Sequence, residues 1–184
     1  MIKNLRFSED LKDFKNVFKV FREHPFYEMW TEEQIDEEFD YLTQNGAIFG
    51  YYNNNEILGI NTIIYGAKTE HPIVFPNNER VLYVSDIAVL ENARGKGIGS
   101  LLLKNTIDMA SENNLYDYIY LRTNLEGSMS EGLSKKQGFE IMKNNGLIIT
   151  QDCYFKRCNE SINEVDTRKF LVKTLNNSKN YWKW

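Results

Sequence analysis

A glycine-rich segment between a predicted strand and a predicted helix has the residue types and spacing that point most directly to chemistry. Glycines occupy three alternate positions, Gly95, Gly97 and Gly99. They allow backbone N–H groups to come close to a ligand. The helix predicted from Ile98 adds about half a positive charge at its N-terminus, and Arg94 and Lys96 add mobile positive charge. These features together predict a cradle for an anion such as phosphate.

Two other glycine-rich motifs fit this segment poorly. A dinucleotide-binding fingerprint needs a further glycine where Leu102 stands. A P-loop needs Ser or Thr directly after its lysine, whereas Lys96 is followed by Gly97. The simplest alternative is a flexible turn without a ligand. It does not explain why a buried strand, a glycine-rich turn, basic residues and a helix N-terminus occur together.

The elements that must position this segment follow from the spacing of apolar residues. Residues 81–90 are nearly all apolar or β-branched, which is typical of a buried strand. The apolar residues between Ile98 and Asn113 cover much of a helix circumference, which predicts a well-buried helix. Earlier in the chain, Thr31 to Gln34 reads as a capping box that starts a helix. Asn53 to Asn55 predicts a hairpin turn between two strands.

The predicted order of elements is β-α-α-β-β-β-α-β-α-β-β, followed by an amphipathic helix. This order predicts an α+β (mixed α/β) domain over residues 1–157. Residues 158–184 are expected to form a C-terminal helical tail packed on the same domain. A chain of 184 residues fits this plan, because one domain usually takes about 100–200 residues.

Composition excludes several classes of protein. Hydrophobic residues make up 42% of the chain and charged residues 26%, an ordinary globular mixture. No apolar run reaches the roughly 18 residues of a membrane helix, and the first residues lack the apolar region of a signal peptide. We therefore expect a cytoplasmic protein without a membrane partner. A net charge of −4 argues against nucleic acid as a partner.

The distribution of charge is more informative than its sum. Between Glu23 and Ala67 there is no Lys or Arg. That stretch holds nine carboxylates, Glu23, Glu28, Glu32, Glu33, Asp36, Glu37, Glu38, Asp40 and Glu56. It therefore carries −9 and the rest of the chain +5, which gives −4. This pattern predicts one region that attracts cations and another that attracts anions. A solvated acidic helix face is the alternative.

Cysteines and histidines are too few to predict a metal centre. The chain has two cysteines, Cys153 and Cys158, and two histidines, His24 and His71. The cysteines lie five residues apart in one predicted strand, which places them on opposite faces and argues against a disulfide. We expect no bound metal.

Three segments resemble the GNAT superfamily of N-acetyltransferases. Arg94-Gly95-Lys96-Gly97-Ile98-Gly99 matches the Arg/Gln-x-x-Gly-x-Gly/Ala motif of that superfamily. Val84-Ser85-Asp86-Ile87-Ala88-Val89, before it, also resembles the family. Leu133-Ser134-Lys135-Lys136-Gln137-Gly138-Phe139-Glu140 resembles the Leu-Tyr-x-Lys-x-Gly-Phe-Glu segment. The order of elements matches from about residue 1 to 157. The motif pair is specific for the superfamily but not for a substrate.

The resemblance implies a fold and an acyl donor. The fold is a three-layer arrangement with a central mixed, mostly antiparallel sheet that is splayed between its fourth and fifth strands and flanked by helices. The resemblance implies that acetyl-CoA binds in that split. The residues implied to hold its pyrophosphate are Arg94, Gly95, Lys96, Gly97, Ile98, Gly99 and Ser100. Those implied to pair with its pantetheine arm are Ile87, Ala88 and Val89, with Asn124 and Ser130 on the other side.

Catalysis of acetyl transfer to an amine needs donors for the developing oxyanion and a group that takes the amine proton. Asp86 is the candidate base, with Ser85 beside it as a water-holder. Their order along a strand puts them on opposite faces, but superfamily members often have a bulge here, so either could face the acceptor. Ser134 stands where the family often has a Tyr that protonates the departing sulfur. A Ser hydroxyl is shorter and less acidic, so this position departs from the family pattern.

The acceptor pocket of the superfamily is usually built from the first two helices and nearby loops, where the acidic stretch lies. Aromatic and acidic residues suit a cation through carboxylate and cation–π contact. The candidate pocket residues are Phe26, Tyr27, Glu28 and Trp30. We therefore expect a cationic small-molecule primary amine, polyamine-like or aminosugar-like. The alternatives are acetylation of a protein N-terminus or lysine, and a non-catalytic module that binds or senses acyl-CoA. A homodimer is common in the superfamily.

Overall fold

The computed structural model describes residues 1–23, 28–112, 114–126, 129–156 and 163–175 of the chain. The chain divides into two compact units whose segments alternate along the sequence. Unit 1 comprises residues 1–63, 86–102 and 154–165, and unit 2 comprises residues 64–85, 103–153 and those from 166 onward. The boundary predicted between residues 157 and 158 lies outside the described residues.

Unit 1 contains two helices and the first strands of the chain. Its elements are β1 (Ile2–Leu5), α1 (Leu11–Phe18), α2 (Glu32–Asn45), β2 (Gly46–Asn53), most of β3 (Glu56–Tyr65), the end of β4 (Val81–Val89) and the start of α3 (Ile98–Glu112). The strand order is β1-β2-β3-β4, and β1 is antiparallel to β2. These elements follow the order predicted from the sequence.

Local chemistry explains where the elements of unit 1 begin and turn. Thr31 Oγ1 accepts a hydrogen bond from Gln34 N at 3.2 Å, and Gln34 Oε1 accepts one from Thr31 N at 2.9 Å. This capping box starts α2 as predicted. Asn54 and Asn55 have φ of 49° and 66°. Positive φ at both central residues is typical of a type I′ hairpin turn, and these two residues join β2 to β3.

Aromatic side chains form the centre of the unit 1 core. Phe14 of α1 is fully buried, and its ring centroid lies 4.9 Å from that of Phe18 and 5.3 Å from that of Phe39 on α2. Ile35 and Leu42 of α2 are also fully buried. Among the described residues, no helix is long and apolar enough to cross a bilayer.

Unit 2 contains the remaining strands and one further helix. Besides the first part of β4 and most of α3, its elements are β5 (Tyr118–Asn124), α4 (Met129–Lys136), β6 (Glu140–Ile141), β7 (Lys143–Asn144), β8 (Leu147–Ile148), the start of β9 (Thr150–Lys156) and most of β10 (Asn163–Thr174). The strand order is β4-β5-β10-β6, β9 pairs with β10, and β7 and β8 form a separate hairpin.

Strand directions in unit 2 confirm the predicted mixed α/β fold. The ladder between β4 and β5 is parallel and runs from Val81 opposite Tyr118 to Val84 opposite Leu121. β10 is antiparallel to both β5 and β6. The parallel ladder covers only the first four residues of β4, which continues to Val89. Residues from Ser85 onward therefore lie beyond it.

The C-terminal helical tail is the part of the fold prediction that is wrong. Asn163–Thr174 forms strand β10, and seven of its residues, from Arg168 to Thr174, pair with β5. Phe170, Leu171 and Val172 are buried in succession, as in a central strand covered on both faces. A short apolar run of this kind is not distinguished from a buried helix by periodicity alone. Residues 176–184, which include the aromatic end of the chain, lie outside the described residues.

Candidate active site

The glycine-rich turn joins β4 to α3 and has the conformation that the anion cradle requires. Gly95 and Gly97 have φ of +77° and +79°, in the region where L side chains are strained. The space that a Cβ atom would fill at either position is open. Leu101 N donates to Gly97 O at 3.0 Å as the helix begins. The N–H groups in the first turn of a helix point toward its N-terminal end, an arrangement that suits an anionic ligand.

The two basic residues of this turn are held beside it. Arg94 Nε donates to Val89 O at 3.2 Å, and Lys96 Nζ donates to Asn92 O at 2.9 Å. Lys96 is exposed and Arg94 is half-buried. Both positive charges therefore stay near the N-terminus of α3 and add to its dipole.

The end of β4 is held against β3 by a glycine that the sequence analysis missed. A Cβ atom on Gly59 would lie 2.9 Å from Ala88 O, 3.2 Å from Ile98 Cγ2 and 3.3 Å from Val89 Cγ2. Leu90 N also donates to Leu58 O at 2.9 Å. Gly59 thus permits a backbone approach that no other residue allows without a shift. An isolated glycine inside a strand pattern was the available signal.

Asp86 and Ser85 lie at the start of this β4 segment and are both half-buried. The Asp86 amide donates to Thr62 Oγ1 at 3.0 Å, and Thr62 Oγ1 donates to Asp86 Oδ2 at 3.4 Å. Thr62 has no exposed surface. The carboxylate of the candidate base therefore accepts a hydrogen bond from the neighbouring strand β3.

The candidate residues of unit 2 cluster where β5 ends and α4 begins. Asn124 and Ser130 are exposed, and Ser130 Oγ lies 3.0 Å from Thr123 Oγ1. Ser134 is 1% exposed and its hydroxyl donates to Ser130 O at 2.7 Å. The Ser134 proton is therefore directed into its own helix, which favours a structural role over that of an acid.

An ion pair with little solvent exposure anchors α4 within unit 2. Lys169 Nζ of β10 lies 2.7 Å from Glu131 Oε2 and donates to Leu125 O at 2.9 Å. The side chains of Lys169 and Glu131 are 7% and 10% exposed. Glu131 Oε1 also lies 2.7 Å from Lys135 Nζ. These contacts hold the helix that carries Ser130.

The acidic stretch is partly neutralised by cations from the segment before it. Lys15 Nζ pairs with Asp36 and Glu32, and Arg22 Nη1 lies 2.8 Å from Glu32 Oε1. These bonds lower the pKa of the Glu32 carboxyl, with Arg22 as the largest cause. The charge at this end of α2 is therefore smaller than the sequence suggests.

Two of the four candidate acceptor residues are among those described. Trp30 Nε1 donates to Glu28 Oε2 at 2.9 Å, and the Trp30 ring lies edge-on to Phe18 with centroids 5.0 Å apart. Arg22 Nε donates to Trp30 O at 2.6 Å. Glu28 and Trp30 are thus brought together in unit 1, whereas Phe26 and Tyr27 lie outside the described residues.

A buried histidine–tyrosine pair in unit 2 was not found by sequence reasoning. Tyr120 OH accepts from Lys68 N at 3.0 Å and lies within hydrogen-bond distance of His71 Nδ1, at 2.9 Å. Burial, followed by the charge of Arg122, lowers the pKa of His71 to about 4. Burial also raises the pKa of Tyr120. Within the described ranges, no three His, Cys, Asp or Glu side chains group as metal ligands.

The sequence comparison decides the family. Residues 14–139, more than half of the chain, match the profile described as the acetyltransferase (GNAT) family. The chain belongs to the GNAT family. This result confirms the resemblance carried by the turn motif at residues 94–99.

N-acetyltransferases are among the curated relatives that match this GNAT protein at the sequence level. It is 29% identical over 101 residues to the probable N-acetyltransferase san of Drosophila melanogaster, covering 55% of this chain and 51% of the relative. It is 28% identical over 80 residues to N-alpha-acetyltransferase 50 of Danio rerio, covering 44% of each protein. The matched region thus spans about half the length of these curated relatives.

Solved structures share the GNAT fold over nearly the whole chain. A ribosomal-protein-alanine N-acetyltransferase from Brucella melitensis has a TM-score of 0.70 at 17% identity, with coverage of 95% of this chain and 99% of that one. A putative acetyltransferase from Salmonella typhimurium, solved with its cofactor acetyl-CoA, has a TM-score of 0.69 at 14% identity, with coverage of 96% and 94%. At these identities the likeness concerns the fold.

The residues of this GNAT protein fit the diphosphate of acetyl-CoA. The turn offers two left-handed glycines with open space above them, the first turn of α3 and two nearby cations. A side chain at Gly95 or Gly97 would occupy that space. The fit rests on backbone conformation and charge, both of which an anionic group requires.

Proposed function

We propose that this protein transfers the acetyl group of acetyl-CoA to a primary amine. The observation that carries the proposal is the open, positively charged turn at residues 94–100, directly after the oriented β4 segment 86–89. Acetyl-CoA, when bound, supplies the acetyl group as an activated thioester. The turn residues would hold its diphosphate, and the backbone of Ile87–Val89 would hold its pantetheine arm.

Backbone N–H groups on a rigid strand stabilise negative charge as it develops on a carbonyl oxygen. Loss of one such donor typically costs about 3–4 kcal/mol. The β4 segment is suited to this task because Gly59 and Leu58 hold its end against β3. Pre-positioned donors need no reorganisation during the reaction, so the strand contributes through its rigidity.

Proton transfer is assigned to Asp86. The attacking amine must lose a proton as the new C–N bond forms, and a carboxylate held in a fixed orientation can accept it. Thr62 supplies that orientation. We do not assign the leaving-group proton to Ser134, because its hydroxyl donates to Ser130 O. A thiol with an ordinary pKa of about 8.5 is able to leave without it.

For the acceptor we propose a cationic small-molecule amine. Glu28 and Trp30 support this choice, since a carboxylate and an indole ring held together suit an ammonium group. Pairing of Glu32 with Arg22 reduces the surrounding negative charge. We therefore expect the preference for a cationic acceptor to come from Glu28 itself. Acetylation of a protein N-terminus is the second candidate, favoured by the similarity to N-alpha-acetyltransferase 50 of Danio rerio.

Two measurements test the proposal. Calorimetry with CoA and acetyl-CoA is expected to detect binding, and absence of affinity in folded protein would overturn the proposed function. Release of CoA thiol is then followed with polyamines, aminosugars, lysine peptides and peptides with a free N-terminus. Reaction with polyamines or aminosugars supports the cationic acceptor, whereas reaction with N-terminal peptides alone overturns it.

An Asp86→Ala variant separates an enzyme from a binding module. We expect it to keep its affinity for acetyl-CoA and to lose turnover by about 10²–10⁴-fold, the usual contribution of a general base. Binding without turnover in the wild-type protein, across the whole amine panel, would favour the module that only holds acyl-CoA.

A further inference from the structure

Strand β3 carries two consecutive polar residues in an otherwise apolar run. Asn61 and Thr62 follow Ile60 and precede Ile63, and neither polar side chain has any exposed surface. Burying an amide or hydroxyl is costly unless it is hydrogen-bonded. Successive strand residues point to opposite faces, so each polar group must find its own partner. Asn61 Nδ2 reaches Leu102 O of α3 at 3.5 Å, and Thr62 reaches Asp86.

The contact between Thr62 and Asp86 uses one hydroxyl twice. Thr62 Oγ1 accepts from the Asp86 amide at 3.0 Å and donates to Asp86 Oδ2 at 3.4 Å. A hydroxyl has one proton and two lone pairs, so both roles are compatible. The first bond positions the backbone of Asp86, and the second, longer bond is directed to its carboxylate. A single buried side chain thereby restricts the position and the rotamer of the candidate base.

A β-branched apolar residue would fill the same space without a hydroxyl. Val has nearly the shape of Thr and suits a strand equally well, so packing alone does not require Thr at position 62. The hydroxyl is explained by the bonds that it makes to Asp86.

We propose that Thr62 is a positioning residue for Asp86, and that it acts on the reaction only through that carboxylate. The inference rests on the proposed acetyl transfer. In this reaction Asp86 accepts the amine proton while the C–N bond forms, the C–S bond breaks and CoA leaves as the thiolate. Thr62 takes no proton and touches no substrate. Its role is to keep the Asp86 carboxylate in one orientation.

The test compares Thr62→Val, Thr62→Ser and the matched control Thr106→Val. Thr106 is also fully buried but lies on α3. We expect Thr62→Val to lower kcat by about 10–100-fold, since misplacement of a catalytic group by 1 Å can cost about 10²-fold. Its KM for acetyl-CoA and its affinity for CoA should stay within about twofold. Thr62→Ser, which keeps the hydroxyl, should restore most of kcat, and Thr106→Val should leave kcat nearly unchanged.

A double-mutant cycle tests whether Thr62 acts through Asp86. In an Asp86→Ala background, Thr62→Val should cause no further loss of kcat, because residues that act as a unit are non-additive. Independent losses that multiply would overturn the proposal. Wild-type kcat in Thr62→Val, or failure of Thr62→Ser to rescue it, would overturn it as well.

A readout that needs no turnover is the amide resonance of Asp86 in the unliganded protein. Loss of its hydrogen-bond acceptor should move the amide proton upfield in Thr62→Val but not in Thr62→Ser. An unmoved resonance in Thr62→Val would contradict the contact itself. Failure of the proposed function is recognised separately, because then the wild-type protein neither binds CoA nor releases thiol with any amine.

Discussion

Replacement of Gly59 by Ala is expected to disturb the end of β4 by a definable amount. The added Cβ would lie 2.9 Å from Ala88 O, whereas ordinary contact begins at 3.4 Å, so β3 and β4 must separate by about 0.5 Å (3.4 − 2.9). Overpacking of this kind costs about 1–3 kcal/mol of unfolding free energy. A misplacement of 1 Å at a catalytic site can cost about 10²-fold in rate. Half that displacement predicts about a tenfold loss of kcat.

Gly50→Ala is the matched control for this prediction. Gly50 lies on β2, and the three atoms nearest to its added Cβ all belong to side chains, the first being Ile57 Cδ1 at 3.0 Å. Both variants gain the same Ala in a strand, so the intrinsic propensity change is shared. Urea unfolding and steady-state kinetics are measured for both. Gly59→Ala with an unchanged kcat, or Gly50→Ala with an equal loss of kcat, would refute the reasoning.

Three further outcomes are expected. Gly97→Ala places a side chain at a φ of +79°, which costs about 1–2 kcal/mol. We expect this variant to bind CoA about tenfold more weakly when affinity is measured by calorimetry. The control Gly146→Ala, which has a φ of +84° in the β7–β8 hairpin, should leave the affinity for CoA unchanged. Lys169→Met removes a buried partner of Glu131 and should lower the free energy of unfolding in urea by about 3 kcal/mol. The control Lys135→Met removes the exposed partner of Glu131 and should lower it by less than about 1 kcal/mol. The pKa of His71 falls from 6.5 to about 4 on folding. Between pH 6.5 and about pH 4 the unfolded state therefore binds a proton that the folded state does not. The free energy of unfolding should drop by about 2 kcal/mol from pH 7.5 to pH 5. A His71→Gln variant whose unfolding free energy shows the same pH dependence would contradict this.

Much of the fold was predictable because local signals and the global arrangement agree. The capping box at Thr31 and the Asn-rich hairpin turn are short-range features whose chemistry is complete within a few residues. β10 was missed for the opposite reason. Its pairing with β5 joins Arg168 to Asn124, a contact between residues far apart in sequence that no local pattern reports.

The candidate site likewise has parts that the sequence predicts and parts that it does not. The turn at Gly95 and Gly97 was predictable because its chemistry lies in the backbone and in consecutive residues. Thr62 and Gly59 were not predicted, because their contacts are made across strands to Asp86 and Ala88. The hydrogen bond of Ser134 also depends on the helix that forms around it.

The place of β10 between β5 and β6 bears on how the protein matures during synthesis. The ribosome must extend the chain from residue 124 to residue 163 before the partner of β5 begins to emerge. Until then the N–H and C=O groups along one side of β5 lack their partner strand. Exposed strand edges of this kind pair with other chains. Nascent chains stalled before residue 163 should therefore bind chaperones and aggregate more readily than those released after β10 is complete.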